Sequence, residues 1–160
     1  MDRIDRIINH PIFLENLRKN QEAEKDRCFC HHDITHFLDV ARIGLIISLE
    51  EELNIERELI YGVALLHDIG RHVQYAQGTP HEQASAIIAP DILRDCGFDD
   101  NETDVIITAI LYHRNEDTAR ESSLPGVLYR ADKASRSCYI CSVERECSWK
   151  EDKKNKNICY

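Results

Sequence analysis

The chain has 160 residues, 42% of them hydrophobic, and its 29 acidic and 20 basic side chains give a formal net charge of −9. This length predicts one domain over residues 1–160, and the acidic balance argues against extended nucleic-acid binding. No apolar run approaches the roughly 20 residues of a membrane helix. The first residues lack the pattern of a signal peptide, so we expect a cytoplasmic location and no membrane contact.

The first half of the chain predicts three helices. Residues 3–20 form an amphipathic pattern that Pro11 interrupts. Apolar residues recur at three- and four-residue intervals from Ile34 to Leu53, which indicates a long helix. The next segment, ERELIYGVALLHDIG, is the most apolar, and we expect Gly70 to end its helix as a left-handed cap.

The second half predicts further helices. One begins at His81, restarts at Pro90 and stops at Gly97. The next is TDVIITAILYHR, with Asn101 before it and Asp104 as the partner in a capping box.

A last long helix is expected to begin near Leu124 and to continue through VLYRADKASRSCYICSVERE. Residues 137–160 then form a C-terminal extension of this helix, with a cysteine-rich segment and a polar tail. No segment alternates long enough to predict a sheet. The predicted fold is an all-α bundle of about six to eight helices.

Histidine and aspartate recur along these helices in a pattern typical of metal ligands. The candidates are His36, His67, Asp68, His81, His113 and Asp132. Imidazole and carboxylate together favour transition metals such as iron, manganese, zinc, cobalt or nickel.

The pair His67-Asp68 closes the apolar run VALLHDIG, where two polar groups are costly to remove from water. A bound metal would offset that cost. The alternative is a histidine favoured by the helix dipole, followed by a capping aspartate.

The segments HFLDVARIG, ALLHDIGR, HEQASAI, AILYHR and YRADKASR, over about residues 30–136, resemble the HD superfamily of metal-dependent phosphohydrolases. The resemblance implies an HD-domain bundle in which one divalent ion is held by His36, His67, Asp68 and Asp132. His81 and His113 match the two extra histidines of binuclear HD enzymes, which include the symmetrical diadenosine tetraphosphate hydrolases and the HD-GYP phosphodiesterases. Asp68 would then bridge two ions as the central catalytic residue. The GYP signature is absent, so the compact diadenosine polyphosphate hydrolases are the closer analogy.

These residues predict hydrolysis of a phosphate ester or phosphoanhydride by metal-activated water. The expected substrate is a small phosphorylated molecule, a nucleotide or dinucleotide. Candidate substrate-binding groups lie next to or near the proposed ligands and are Arg71, Arg114, Lys133, Arg136 and His32. His32 also competes with His36 for the ligand role, because it lies one turn earlier.

Two other functions remain open. One is a nucleotide-sensing HD module without turnover, and the other is an oxygen-dependent di-iron enzyme. Apolar helical faces also permit a homodimer.

The seven cysteines indicate reduced thiols or metal ligands, because an odd number cannot all pair internally. Cys138, Cys141 and Cys147 follow the last ligand, and Cys28 and Cys30 precede the first. We expect Cys138 and Cys141 to share a helix face. Reduced thiols are the favoured interpretation, and a zinc ion or iron–sulfur cluster is the alternative.

Overall fold

The computed structural model describes residues 1–160, which form eight α-helices and no strands. The helices are α1 (Asp2–Asn9), α2 (Pro11–Ala23), α3 (Ile34–Glu50), α4 (Arg57–Leu66), α5 (Arg71–Gln77), α6 (His81–Asp95), α7 (Asp100–Tyr112) and α8 (Leu124–Ala134). Short 3₁₀ helices lie at Glu116–Arg120, Cys138–Ile140, Glu144–Glu146 and Glu151–Lys153. The predicted all-α bundle is confirmed, and none of its helices combines the length and apolar character needed to span a membrane.

Helix α4 lies at the centre of the bundle. It packs against α1, α3, α7 and α8, and its side chains Ile60, Val63, Leu65 and Leu66 are buried. Burying each of these side chains contributes about 1.5–3 kcal/mol. A helix that is apolar on all sides is stable only when other helices surround it. The end of α4 therefore has a fixed position among the neighbouring helix ends.

Helix α6 differs from the sequence prediction. Pro11 begins α2 as expected, but Pro90 lies inside a continuous α6. Ile92 and Leu93 of this helix are fully buried. Their burial offsets the cost of about 3 kcal/mol that an interior proline imposes.

The start of α7 is also shifted. Asp99 caps this helix, and its carboxylate accepts a hydrogen bond from the backbone N–H of Glu102. The Glu102 carboxylate in turn accepts from the Asp99 backbone N–H. The predicted capping role of Asn101 and Asp104 is therefore wrong, because Asp99 and Glu102 satisfy the first backbone donors two residues earlier.

Gly70 is not a left-handed cap. Its φ is −89°, and α4 ends at Leu66, before the turn that contains it. A Cβ atom at Gly70 would lie 2.6 Å from the backbone nitrogen of Ser85. Glycine is required here because the turn lies directly against α6. The glycine that caps a helix in the left-handed conformation here is Gly78, which ends α5 with a φ of 76°.

The predicted long C-terminal helix is wrong, because α8 ends at Ala134. Beyond Ala131 no apolar side chain is buried, so nothing holds a further helix against the core. The side-chain amide of Asn155 donates to the backbone carbonyls of Lys133, Ala134 and Arg136, with N···O distances of 2.8–3.2 Å. It thereby satisfies carbonyl groups that the end of α8 leaves free. Residues 135–160, the C-terminal segment, fold back over the bundle.

Candidate metal centre

The six predicted ligands come from the ends of five helices. His36 lies in the first turn of α3, His67 and Asp68 follow α4, His81 begins α6, His113 follows α7, and Asp132 lies in the last turn of α8. They form two groups, and in each group one atom per residue lies within 4.8 Å of the others. The His67 group comprises His36, His67 and Asp132, and the His81 group comprises Asp68, His81 and His113. The bundle thus brings together all the residues that the sequence suggested as ligands, whose metal-binding role stays a prediction.

Asp68 lies between the two groups. Its Oδ1 is 3.0 Å from Nε2 of His81 and 3.6 Å from Nε2 of His113. Its Oδ2 is 3.6 Å from Nε2 of His67. One carboxylate therefore presents an oxygen to each group, the arrangement needed for a bridging ligand.

The orientation of two imidazole rings is set by backbone carbonyls. Nδ1 of His67 lies 2.7 Å from the carbonyl oxygen of Ala64, and Nδ1 of His113 lies 2.6 Å from that of Ile110. Because a carbonyl oxygen only accepts, each Nδ1 carries the proton and each neutral ring has its lone pair on Nε2. Such bonds commonly orient metal-binding histidines.

Several buried atoms lack a suitable partner in the protein. Nε2 of His36 and Nε2 of His67 make no hydrogen bond. The His67 nitrogen faces the carboxylates of Asp68 and Asp132 at 3.6 and 4.0 Å. An unsatisfied buried polar group costs about 1–3 kcal/mol, and facing lone pairs repel. A cation would satisfy these atoms, so the donor set fits a divalent transition metal.

The charges also suit a cation. Burial lowers the pKa of His67 to about 3, so the ring is neutral at neutral pH. Burial acts to raise the pKa of Asp68, but His67 and the other nearby imidazoles hold it well below its usual range. Burial likewise opposes ionisation of Asp132, whose pKa is held low by Lys133 and Arg136. Two carboxylates therefore stay charged beside the neutral imidazole of His67.

The negative charge of Asp68 also shifts the pKa of His113. Although burial lowers its pKa, the Asp68 carboxylate raises it above the ordinary histidine value. In the metal-free protein a proton on His113 would partly balance the charge of Asp68. The centre therefore attracts a cation on both sides of Asp68.

His32 lies beside the two groups and belongs to neither. Its Nε2 is 3.5 Å from Oδ2 of Asp68, and its Nδ1 is 2.5 Å from Oε1 of Glu24. Glu24 is buried and also accepts a hydrogen bond from the Tyr75 hydroxyl. Burial acts to raise the pKa of Glu24, but the bond to His32 brings it to about 2. His36, which lies within the His67 group, is therefore better placed than His32 to be a ligand.

A cavity of about 450 Å³ opens over the two groups. All five predicted substrate-binding residues line it, namely His32, Arg71, Arg114, Lys133 and Arg136. Lys133 Nζ lies 2.5 Å from Oδ2 of Asp132, and Arg71 Nη1 lies 2.9 Å from Nδ1 of His81. Cations therefore lie beside both groups.

The sequence interpretation missed the aromatic wall of this cavity. Trp149 lines it, and its ring lies 3.5 Å from the Arg136 guanidinium carbon and 5.6 Å from Lys133 Nζ. Trp149 lies in a polar tail without helical periodicity. The only indication of its importance in the sequence is that it is the single tryptophan of the chain. Cation–π contacts place it over the basic residues of the site.

Asn20 of α2 was also missed. Its side chain is fully buried, donates to the backbone carbonyl of Asp68 at 2.9 Å and accepts from the backbone N–H of His72 at 2.8 Å. It thereby connects α2 to the turn that presents Asp68. In the sequence, Asn20 is noticeable only as a polar residue on the same helix face as the apolar Phe13 and Leu17.

Comparisons with known proteins identify the family of the chain. The model of the HD domain family matches residues 33–137, a range that includes all six candidate ligands. The chain is 44% identical to an uncharacterised protein of Clostridium beijerinckii over the full length of both. It is 33% identical over 104 residues to ribonuclease Y of Mesoplasma florum, and the match covers 65% of this chain and 18% of that protein.

A solved structure is also similar. The crystal structure of a predicted HD superfamily hydrolase from an uncultured Thermotogales bacterium superposes with a TM-score of 0.63 and 28% sequence identity. The superposition covers 88% of this chain and 80% of the other. The likeness therefore extends over most of the bundle.

Proposed function

The chain belongs to the HD domain family of metal-dependent phosphohydrolases, and we propose that it hydrolyses a phosphate ester or phosphoanhydride of a small nucleotide or dinucleotide. The observation that carries this proposal is the position of Asp68. Its two oxygens face two separate ligand groups, at the floor of a cavity with basic walls. The chain would act through two divalent transition-metal ions.

In this proposal His36, His67 and Asp132 hold the first ion, His81 and His113 hold the second, and Asp68 contributes to both. Such a pair of ions lowers the pKa of water and neutralises charge on a phosphoryl group. The carbonyls of Ala64 and Ile110 keep the imidazole lone pairs of His67 and His113 directed inward. The protein thus supplies fixed ligands that need no rearrangement during the reaction.

The basic residues would bind the phosphate from two sides. Arg71 lies beside His81, whereas Lys133 and Arg136 lie beside Asp132. A phosphoryl group over Asp68 would therefore have cations at both ends. Trp149 and Tyr129 line the same cavity and offer faces on which a nucleobase can stack.

RNA is the second candidate substrate, because the chain shares 33% identity over 104 residues with ribonuclease Y. The chain spans only 18% of that protein's length, so the activity of the whole relative is not transferred to it. The net charge of −9 and the cavity of about 450 Å³ favour a small molecule over a long polyanion.

A turnover panel tests the proposal. Untagged protein is assayed with manganese or iron(II) on nucleoside phosphates, diadenosine polyphosphates, dinucleotides and RNA oligomers. We expect metal-dependent release of a nucleotide or phosphate, lost in Asp68→Ala and kept in Asp91→Ala, which alters an exposed ion pair on α6.

The other outcomes identify competing functions. Ligand binding without turnover would replace the proposal by a nucleotide sensor. Oxygen consumption with a reductant, without hydrolysis, would indicate an oxygen-dependent di-iron enzyme. Cleavage of RNA alone would establish the second candidate.

A further inference from the structure

Five of the seven cysteines lie around one cavity beside the metal centre. This cavity, of about 490 Å³, is lined by Cys28, Cys30, Cys138, Cys141 and Cys147. All seven cysteines are free thiols. Cys30 comes from the loop before α3, whereas the last three come from the C-terminal segment. The fold therefore gathers thiols from two distant parts of the sequence.

The cysteines of the C-terminal segment lie at the ends of its short 3₁₀ helices. Cys138 begins one 3₁₀ helix and Cys141 directly follows it. Cys147 directly follows the next one, at Glu144–Glu146. These short turns, which replace the expected α-helix, set the direction of the chain at each thiol.

Cys30 interacts with this set. The pKa of its thiol is raised, first by partial removal from water and also by the thiols of Cys138 and Cys141. The Arg136 guanidinium opposes this shift. Cys30, Cys138, Cys141 and Cys147 line the same cavity, so their thiols are neighbours although they come from distant parts of the sequence.

The C-terminal segment has no hydrophobic core of its own and is held by polar contacts such as those of Asn155. No apolar side chain beyond Ala131 is buried, and Ile140 and Ile158 are 78% and 71% exposed. The only buried residue of the segment is Lys154, whose ammonium contacts Glu144 and Glu151. A chain of this length without a core is typically ordered by disulfides or by a metal.

We propose that Cys30, Cys138, Cys141 and Cys147 bind an iron–sulfur cluster of four irons and four sulfides, which fixes the C-terminal segment to the bundle. The four thiols release their protons and their sulfurs bind one iron each, without any electron transfer in this structural role. Cys28 and Cys159 take no part.

No three of these thiols lie close enough together to bind one zinc ion as they stand. The His67 and His81 groups each gather their ligand atoms within 4.8 Å, but the cysteines form no such group. With zinc–sulfur bonds of about 2.3 Å, one tetrahedral ion would need all its sulfurs closer together than that. A cluster binds each cysteine at a different iron and therefore accepts a wider spacing.

The position of this centre connects it to the metal-dependent site. Cys30, Cys138 and Cys147 also line the cavity over Asp68, and Trp149 follows Cys147 by two residues. The cluster would hold Trp149 against Arg136. This consequence for substrate binding rests on the proposed function, whereas the cluster itself does not.

Metal and sulfide analysis tests the proposal. Full-length untagged protein is purified without oxygen, and iron, zinc and acid-labile sulfide per chain are measured together with visible absorption. We expect about four sulfides per chain and the broad visible absorption of iron–sulfur bonds. Both should be lost in Cys141→Ser and Cys147→Ser and kept in the matched controls Cys28→Ser and Cys159→Ser.

Asp68→Ala separates this proposal from the proposed function. Sulfide and visible absorption should persist in that variant even if all hydrolysis is lost. Zinc at the thiols without sulfide would overturn the cluster, and wild-type protein with neither sulfide nor thiol-dependent zinc would overturn the whole centre. Because the last two results concern the wild-type chain, they do not depend on whether a variant folds.

Discussion

The bundle of residues 1–134 and the C-terminal segment are held by different forces. The bundle buries the apolar side chains of α4 on every side, and the candidate ligands lie at the ends of its helices. The C-terminal segment instead depends on polar contacts such as those of Lys154 and Asn155. Exposed ion pairs contribute only about 0–1 kcal/mol each. The candidate metal ligands thus lie on the part of the molecule that has a packed core, whereas part of the cavity wall lies on the C-terminal segment, which has none.

The largest effect is expected from the centre of the bundle site. Asp68→Ala removes the only carboxylate that faces both ligand groups. Metal ions supply several kcal/mol of transition-state stabilisation, so turnover should fall about 1000-fold. Metal content per chain and the catalytic constant kcat are measured together. Unchanged metal content and kcat would contradict the bridging role.

Gly70→Ala should affect folding and the site together. The new Cβ would lie 2.6 Å from the Ser85 backbone nitrogen, which cannot move away as a side chain can. We expect a loss of about 3 kcal/mol in the free energy of unfolding and weaker metal binding. Urea denaturation and metal titration measure the two effects.

Gly97→Ala is the control for that variant. Its φ of 91° makes alanine strained, and the nearest atom to a new Cβ is the end of the Arg6 side chain at 3.9 Å. It should cost about 1–2 kcal/mol and leave metal affinity unchanged. Equal metal affinities in both variants would show that the Gly70 turn does not position Asp68.

Asn20→Ala should weaken metal binding indirectly, because Asn20 is not itself a candidate ligand. Loss of the bond to the Asp68 carbonyl frees the turn that presents this ligand, and we expect metal affinity to fall about 10–100-fold. Asn16→Ala is the matched control, since Asn16 bonds to the His72 ring and makes no bond to Asp68. If both variants weaken metal binding equally, the effect is general destabilisation of α2.

Trp149→Ala tests whether the C-terminal segment contributes to substrate binding. Loss of the ring over Arg136 should raise KM about tenfold and leave kcat and the stability of the bundle nearly unchanged. Trp149→Phe keeps a stacking face and should restore most of the affinity. A fall in kcat with an unchanged KM would mean that the segment participates in the reaction itself.

The difference between the bundle and the C-terminal segment also explains which features were predictable from the sequence. In α4 a continuous apolar run indicates burial, and the polar pair His67-Asp68 that follows it is easily recognised. The six candidate ligands could be proposed from the sequence because each lies within a recognisable family pattern. Helix ends were less predictable, as Pro90 shows, because buried neighbours such as Ile92 outweigh the local preference of proline.

The missed residues depend on contacts between distant parts of the chain. Asn20 is distinguished only by its bonds to residues about 50 positions away. Trp149 reaches the site because the chain turns back after Ala134, and no periodicity signals that turn. Local patterns predict an element and its buried face, but not which loop will cover a cavity.

In the proposed function the His67 and His81 groups each bind a transition-metal ion. Crystals of untagged protein, with anomalous scattering recorded at the iron, manganese and zinc edges, test it most directly. We expect one anomalous peak among His36, His67 and Asp132 and a second beside His81 and His113, with Asp68 next to both. Metal-supplemented crystals with no anomalous peak at either group would contradict it.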